Sequence, residues 1–171
     1  MSEDKRTVTF QGQPLTLLGR EVRPAQAAPD ATVLDNALQP TAIADFRGKV
    51  VVISSVPSLD TPVCDIQTRR FNTEAALLGD DVVVLTISMD LPFAQARWCG
   101  ATGVEAVKTL SDHREGQFGL AYGLLIEEMR LLARAVFVLD REGVVHHAQI
   151  VPELTNEPDY DGALNAVRAL V

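Results

Sequence analysis

The sequence predicts a mixed α/β fold in which helices cover a central sheet of short, buried strands. Three runs of strand length, rich in Val, Ile and Leu, are typical of strands that are covered on both faces. Helical segments lie between these runs, which favours alternating layers of sheet and helix. Of 171 residues, 47% are hydrophobic and 22% are charged, a composition typical of a globular chain that buries its own core.

The predicted central strands are spread along the chain from residue 49 onward. The three central strands span residues 49–55, 82–88 and 135–140, and a fourth strand spans 144–151. Asp140-Arg-Glu-Gly143 separates the last two strands and is typical of a turn, so these strands are expected to form an antiparallel hairpin.

An N-terminal hairpin is predicted over residues 7–19, as an extension of the main fold. Two short β-type runs, 7–10 and 15–18, flank the turn sequence Gln11-Gly-Gln-Pro14. The Ala- and Pro-rich segment 20–30 is expected to be a loop. Helices are predicted at 62–78, 91–99, 117–122 and 160–171.

Length and charge narrow the function classes. Residues 1–171 are expected to form a single domain. The net charge is −8, and no Lys/Arg cluster exceeds the pair Arg69-Arg70, so a nucleic-acid partner is not expected.

No run approaches the roughly 18 apolar residues of a membrane span. The start of the chain lacks a signal-peptide pattern, and we expect a cytoplasmic protein. Two cysteines in such a compartment favour redox chemistry over a structural staple.

Cys64 is predicted to lie in the first turn of a helix. Thr61 is a favourable N-cap residue, and Pro62 suits the first helical position. Unpaired N–H groups and the helix dipole at this end stabilise a thiolate. Free cysteine is also among the most buried residue types, and position alone does not decide between a reactive and an inert thiol.

Several motifs resemble those of the peroxiredoxins. The segment Pro57-x-x-x-Thr61-x-x-Cys64 matches their active-site signature. The thiol peroxidase branch is similar over further blocks along most of the chain. These are Pro57-Ser-Leu-Asp-Thr-Pro-Val-Cys-Asp65, Thr68-Arg-Arg-Phe-Asn72, Thr86-Ile-Ser-Met-Asp-Leu-Pro-Phe-Ala-Gln95, Arg97-Trp-Cys-Gly100, Leu131-Leu-Ala-Arg-Ala-Val-Phe-Val138 and Glu157-Pro-Asp-Tyr160.

The resemblance implies a set of catalytic roles. Cys64 would be the peroxidatic cysteine, whose thiolate attacks a hydroperoxide and becomes a sulfenic acid. Arg134 would stabilise the thiolate and the leaving oxygen with its fixed positive charge. Thr61 would hydrogen-bond the sulfur, and Pro57 would cover the pocket. The alternative for Arg134 is an ordinary ion pair at a strand edge, which is usually worth little.

Cys99 is the resolving cysteine that the resemblance implies, forming a Cys64–Cys99 disulfide that thioredoxin reduces. The predicted helix around it is capped by Asp90 and ended by Gly100, which places Cys99 where the dipole disfavours a thiolate. We hypothesise that the first turn at Cys64 unwinds before the disulfide forms. Two alternatives remain open: a permanent structural disulfide, and a core thiol at Cys99 with Cys64 acting alone.

The resemblance also implies a thioredoxin-like topology, a homodimer and a substrate range of hydrogen peroxide and organic hydroperoxides. It implies no cofactor. His146 and His147 are adjacent on a predicted strand and point to opposite faces, so no metal site is expected there or at His113. One alternative function is a peroxide sensor or redox relay that uses the same cysteine. Another is a non-enzymatic, thioredoxin-like interaction domain.

Overall fold

A computed structural model of the chain describes residues 5–171. Within that range the chain forms ten strands, four α-helices and one short 3-10 helix. The strands are β1 (Thr7–Phe10), β2 (Gln13–Leu18), β3 (Thr32–Leu34), β4 (Pro40–Ala42), β5 (Val50–Ser55), β6 (Val82–Ser88), β7 (Lys108–Ser111), β8 (Leu125–Ile126), β9 (Ala135–Leu139) and β10 (Val145–Ile150). The helices are α1 (Pro62–Leu78), α2 (Pro92–Thr102), α3 (Gln117–Ala121) and α4 (Tyr160–Arg168), with the 3-10 helix at Ile43–Phe46.

A mixed seven-stranded sheet forms the centre of the molecule, in the order β10-β9-β5-β6-β7-β3-β4. Strands β5, β6 and β7 are parallel neighbours, and β9 pairs antiparallel with β5. Every residue of β5 is buried, as expected for a strand that is covered on both faces. The expected sheet with flanking helices is therefore confirmed.

Alternate residues of β5 pack into two separate cores. Val50 and Val52 join a cluster with Phe71 of α1 and Val167 of α4. Ile53, on the opposite face, belongs to the larger cluster that includes residues of α3 and the N-terminal hairpin. This division follows from the period of two in a strand. It places α1, which carries Cys64, directly against the sheet.

The N-terminal hairpin is present, with a tighter turn than expected. Gln11 and Gly12 both have positive φ, 50° and 81°, and Phe10 pairs with Gln13. These features define a two-residue turn of the type that matches strand twist. Strand β2 therefore begins two residues before the expected position, and its far end pairs with β8 in a separate three-stranded sheet.

Other differences from the expected elements concern short strands and helix ends. The sequence did not indicate β3, β4, β7 and β8, which have two to four residues each and too little periodicity to detect. Helix α2 continues past Gly100 and ends at Thr102, and the C-cap residue Gly103 has the left-handed φ of 70° that glycine tolerates. Helix α4 ends at Arg168. Within residues 5–171, every helix falls short of the length and apolar character that a bilayer crossing requires.

Candidate active site

Cys64 lies at the third position of α1, immediately after the loop that leaves β5. Thr61 has extended backbone angles and is the N-cap residue, and Pro62 occupies the first helical position. The first helical bond runs from the Asp65 N–H to the Thr61 carbonyl at 3.0 Å. The expected start of the helix is confirmed, and the Cys64 side chain is completely buried.

Two hydrogen-bond donors face the Cys64 sulfur. Thr61 Oγ1 lies 2.6 Å from Sγ, and Arg134 Nη2 lies 3.4 Å from it. The Thr61 hydroxyl does not cap the helix, contrary to expectation, because it points toward this sulfur and toward the Ser58 carbonyl 2.9 Å away. A hydroxyl has one hydrogen, so Thr61 donates it to a thiolate, or donates it to Ser58 while accepting from a thiol.

Arg134 lies just before β9 with its guanidinium enclosed in the protein; the residue is 2% exposed. Its Nε and Nη2 donate to the Leu154 carbonyl at 3.0 and 2.8 Å, and Nη1 donates to Gln67 Oε1 at 2.9 Å. Among the ion pairs of residues 5–171, none involves Arg134. The ion-pair alternative for this residue is therefore wrong.

Gln67 and the Leu154 carbonyl are parts of the site that the sequence did not indicate. Gln67 is fully buried one turn after Cys64, and its Nε2 donates to Ser54 Oγ at 2.7 Å. That bond orients the amide so that its oxygen accepts from Arg134. The spacing of three residues from Cys64 on one helix was the available signal. A backbone carbonyl gives no such signal.

A cleft of about 340 Å³ opens beside this cluster and is called here the Arg134 cleft. Pro57 is buried and forms part of its wall. Cys64 itself does not line the cleft and lies behind its hydrogen-bond partners Thr61 and Arg134. The lining is mostly apolar and consists of Phe10, Gln11, Pro57, Thr61, Pro62, Val63, Met129, Leu131, Arg134, Leu154 and Thr155.

Glu153 attaches the N-terminal hairpin to the wall of the Arg134 cleft. Its carboxylate accepts hydrogen bonds from Thr9 Oγ1, from the Gly12 N–H and from the Thr155 N–H and hydroxyl. These donors, led by the Thr155 N–H, lower the pKa of Glu153 to about 2. Because the hairpin carries Phe10, this carboxylate holds one wall of the cleft in place.

Cys99 lies in the last turn of α2, half-buried, and its carbonyl accepts from the Gly103 N–H. Its sulfur is 3.6 Å from Thr109 Oγ1, and the Thr109 hydroxyl lies 3.0 Å from Asn36 Oδ1, to which it donates. Because the Thr109 hydroxyl donates its one hydrogen to Asn36, the Cys99 S–H group is the donor to the Thr109 oxygen. Both cysteines are free thiols here.

Cys99 borders a different cavity from the Arg134 cleft. This Cys99 groove has a volume of about 490 Å³. Its lining residues are Asp35, Asn36, Ala37, Thr41, Phe46, Cys99, Val104, Glu105, Val107, Lys108, Thr109 and Leu110.

Asp90 and the histidines were also considered in the sequence analysis, as a helix cap and as possible metal ligands. Asp90 does not cap α2, because Leu91 is the N-cap residue; its carboxylate accepts instead from the loop that precedes Cys64. His146 lies 2.7 Å from Asp140. In the described part of the chain, no three His, Cys, Asp or Glu side chains converge as a metal site requires.

Comparison with known proteins places this geometry in a family. The redoxin family model matches residues 23–164. A thiol peroxidase of Bacillus subtilis (strain 168) is 59% identical over 164 residues, covering 96% of this chain and 98% of the relative. A thiol peroxidase of Staphylococcus aureus (strain MRSA252) is 53% identical over 161 residues, covering 94% and 97%.

A solved structure has the same fold. The crystal structure of a peroxiredoxin-like protein from Aquifex aeolicus superposes with a TM-score of 0.91 at 43% identity, covering 97% of this chain and 98% of that one. The thioredoxin-like topology is thus confirmed. Since the family model and the relatives cover most of its length, this chain belongs to the thiol peroxidase branch of the peroxiredoxins and is a peroxide-reducing enzyme.

Proposed function

We propose that Cys64 is the nucleophile that reduces the peroxide. The observation that carries this proposal is the buried Arg134 guanidinium, which donates to the Cys64 sulfur and has no carboxylate partner among residues 5–171. A buried, unpaired positive charge is costly, and a Cys64 thiolate supplies the missing negative charge. The Thr61 hydroxyl adds a second donor to that thiolate.

The reaction requires an oxygen transfer to Cys64. The thiolate attacks the terminal oxygen of the hydroperoxide, an S–O bond forms and the O–O bond breaks. Cys64 becomes a sulfenic acid, and the alkoxide or hydroxide that leaves takes a proton from solvent. Arg134 has five N–H groups, of which four have acceptors among the described residues, and the remaining Nη1 N–H stabilises the departing oxygen.

Cys99 then resolves the sulfenic acid within the same chain. Its thiolate attacks the Cys64 sulfur, the disulfide forms, and the hydroxide that leaves becomes water. Cys64 is fully buried and Cys99 faces Thr109, so the first turn of α1 unwinds before the sulfurs meet. A thioredoxin-type dithiol reduces the disulfide and is itself oxidised. Such a dithiol is kept reduced in the cytoplasm, which is the location that we propose for this chain.

The substrate range follows from the walls of the Arg134 cleft. Phe10, Met129 and Leu131 present an apolar surface next to Thr61 and Arg134. Such a surface favours the chains of alkyl and lipid hydroperoxides, while hydrogen peroxide needs only the polar end. The family resemblance further supports a single-domain chain that assembles as a homodimer, which light scattering would test.

Peroxide titration followed by intact-mass measurement tests the two cysteine roles together. We expect the wild-type chain to lose two hydrogens with one equivalent of peroxide, and Cys99→Ser to gain one oxygen at Cys64. We also expect the wild-type chain to consume peroxide rapidly when thioredoxin is supplied as the reductant. Sustained thioredoxin-dependent turnover by Cys99→Ser would contradict the role of Cys99. Slow turnover with a trapped partner disulfide would instead support a redox relay.

A further inference from the structure

We propose that Asp90 is a positioning residue that fixes the Cys64 loop to the start of α2 and sets how the Cys64 sulfenic acid is partitioned between disulfide formation and further oxidation. The inference rests on the proposed Cys64–Cys99 cycle. It assigns a function to a carboxylate that lies outside the Arg134 cleft and is expected from the sequence only to cap a helix.

Asp90 collects three hydrogen bonds from two parts of the chain. Its Oδ1 accepts from Ser58 Oγ at 2.7 Å, and its Oδ2 accepts from the Leu59 N–H at 2.8 Å and from Ser88 Oγ at 2.7 Å. We call these four residues the Asp90 latch. Only a carboxylate accepts at both oxygens. Ser58 and Leu59 belong to the loop that carries Thr61, so the latch holds the residue that donates to the Cys64 sulfur.

The latch continues into the helix that carries Cys99. Gln95 is fully buried, and its Nε2 donates to Ser88 Oγ at 3.0 Å and to the Leu110 carbonyl at 2.8 Å. Gln95 lies one helical turn before Cys99, on the same side of α2. A continuous series of hydrogen bonds therefore joins the Cys64 loop to the helix of Cys99.

A second contact holds the same two segments at the cysteines themselves. Trp98 Nε1 donates to Asp65 Oδ1 at 3.1 Å, and the Trp98 ring packs against the buried cluster that contains Cys64. Asp65 follows Cys64 and Trp98 precedes Cys99. The neighbours of the two cysteines are thus bonded to each other while the sulfurs face different partners. In the proposed cycle, both contacts open before the disulfide forms.

Opening of the Cys64 loop therefore competes with a second oxidation of the Cys64 sulfenic acid. In the closed loop, the sulfenic acid still lies beside Thr61 and Arg134, where a second hydroperoxide transfers an oxygen to give a sulfinic acid and an alcohol. In the open loop, Cys99 attacks the sulfur and hydroxide leaves. The Asp90 latch favours the closed loop, so weakening it shifts the partition toward the disulfide and slows the first reaction with peroxide.

The test uses Asp90→Ala, with Asp90→Asn and Ser58→Ala as milder variants. Asp140→Ala is the matched control, because the Asp140 carboxylate likewise accepts from loop donors, the Glu142 and Val144 N–H groups, but lies at the opposite end of β9 from Arg134. Stopped-flow measurements give the peroxide rate. Fluorescence of Trp98, the one tryptophan in the sequence, follows opening. Intact mass at increasing peroxide gives the sulfinic fraction.

For Asp90→Ala we expect the peroxide rate to fall about tenfold, which is less than the roughly 10²-fold that a 1 Å misplacement of reacting groups can cost. Disulfide formation should accelerate several-fold, and more peroxide should be needed for half-maximal sulfinic acid. Asp90→Asn and Ser58→Ala should change the peroxide rate, the rate of disulfide formation and the peroxide needed for sulfinic acid in the same directions but by smaller amounts. Asp140→Ala should change none of these three quantities. Should Asp90→Ala fail to fold by circular dichroism, Ser58→Ala decides.

Equal slowing of both steps, or an unchanged sulfinic fraction in a folded variant, would overturn the role of Asp90 alone. Absence of any disulfide in the oxidised wild-type chain would overturn the proposed cycle and the inference with it. The two failures are therefore distinguishable in one set of mass spectra.

Discussion

Cys64 and Cys99 lie on two helices that contact each other, but opposite kinds of hydrogen-bonding groups face their sulfurs. Cys64, in the first turn of α1, faces two donors, the Thr61 hydroxyl and the Arg134 guanidinium. Cys99, in the last turn of α2, faces the Thr109 oxygen, which acts as an acceptor because the Thr109 hydrogen goes to Asn36. The first environment therefore offers hydrogen-bond donors to the sulfur, and the second offers an acceptor to an S–H group.

This difference shows that helix position alone does not determine the chemistry of either thiol. The helix dipole favours negative charge at Cys64 and disfavours it at Cys99. The neighbouring side chains act in the same direction, and they come from distant parts of the chain. Arg134 in particular brings a full charge into a buried site, where it is screened much less than at the surface.

Exchange of each sulfur for oxygen should separate the two environments most strongly. We expect Cys64→Ser to abolish enzymatic peroxide consumption, because a serine hydroxyl beside Arg134 is not a competent nucleophile for peroxide. Cys99→Ser should leave the first turnover nearly unchanged. Stopped-flow peroxide consumption at one equivalent measures both. Equal loss in the two variants would remove the distinction between the cysteines.

Removal of the guanidinium should have the next largest effect. We expect Arg134→Gln to lower the peroxide rate constant by about 10² to 10³, the range for loss of one preorganised donor to a developing charge. Arg134→Lys should recover only part of this, because an ammonium does not reproduce the fork that also reaches Gln67 and Leu154.

Arg70→Gln serves as the matched control, since Arg70 forms an exposed ion pair with Glu74. It should retain full activity. A loss at Arg70 as large as that at Arg134 would mean that net charge, and not contact with the sulfur, is responsible.

The two threonines permit a smaller and more direct comparison. We expect Thr61→Val to slow the peroxide step by about tenfold, the worth of one charge-assisted hydrogen bond, and Thr61→Ser to restore most of the rate. Thr109→Val, near Cys99, should leave this step unchanged and alter only the rate of disulfide formation. Rapid-quench alkylation followed by mass measurement separates the two steps.

The sequence pattern predicted the parts of this site that are local in the chain. Thr61, Pro62 and Cys64 define a helix start by their order alone. The central strands were also predictable, because their apolar runs are long enough to show a pattern. The strand β7, with Lys108 and Thr109 in only four residues, was not.

The remaining site residues depend on tertiary contacts. Arg134 was identified only through resemblance to a family, since nothing local links it to a cysteine 70 positions earlier. Gln67 and Asp90 are polar residues that usually face solvent, and only the fold shows that they bond to Arg134 and to the Cys64 loop. A helix-capping pattern at Asp90 was wrong because loop donors that are distant in sequence compete for the same carboxylate.

Truncation of the cleft wall should distinguish substrates without affecting the chemistry at Cys64. We expect Phe10→Ala to raise the KM for cumene hydroperoxide several-fold and to leave kcat/KM for hydrogen peroxide unchanged, since Phe10 lines only the apolar side of the cleft. Phe93→Ala, an exposed aromatic on α2, is the matched control. Equal effects on both peroxides would place Phe10 in a general structural role.

Acid should loosen the wall beside Cys64 while leaving the surroundings of Cys99 intact. Glu153 is partly exposed to solvent, but the hydrogen bonds that its carboxylate accepts lower its pKa from 4.5 to about 2. The folded state therefore binds a proton at Glu153 less readily than the unfolded chain does. Its stabilisation is complete above about pH 4.5 and is lost as the pH falls toward 2. We expect Glu153→Gln to unfold at a lower temperature than the wild type at pH 7, and the gap to shrink at pH 3. Alkylation of Cys99 should be the same in both proteins, because Thr109 and Asn36 do not contact the hairpin that Glu153 holds. A gap that stays constant with pH would show that the carboxylate charge does not secure this hairpin.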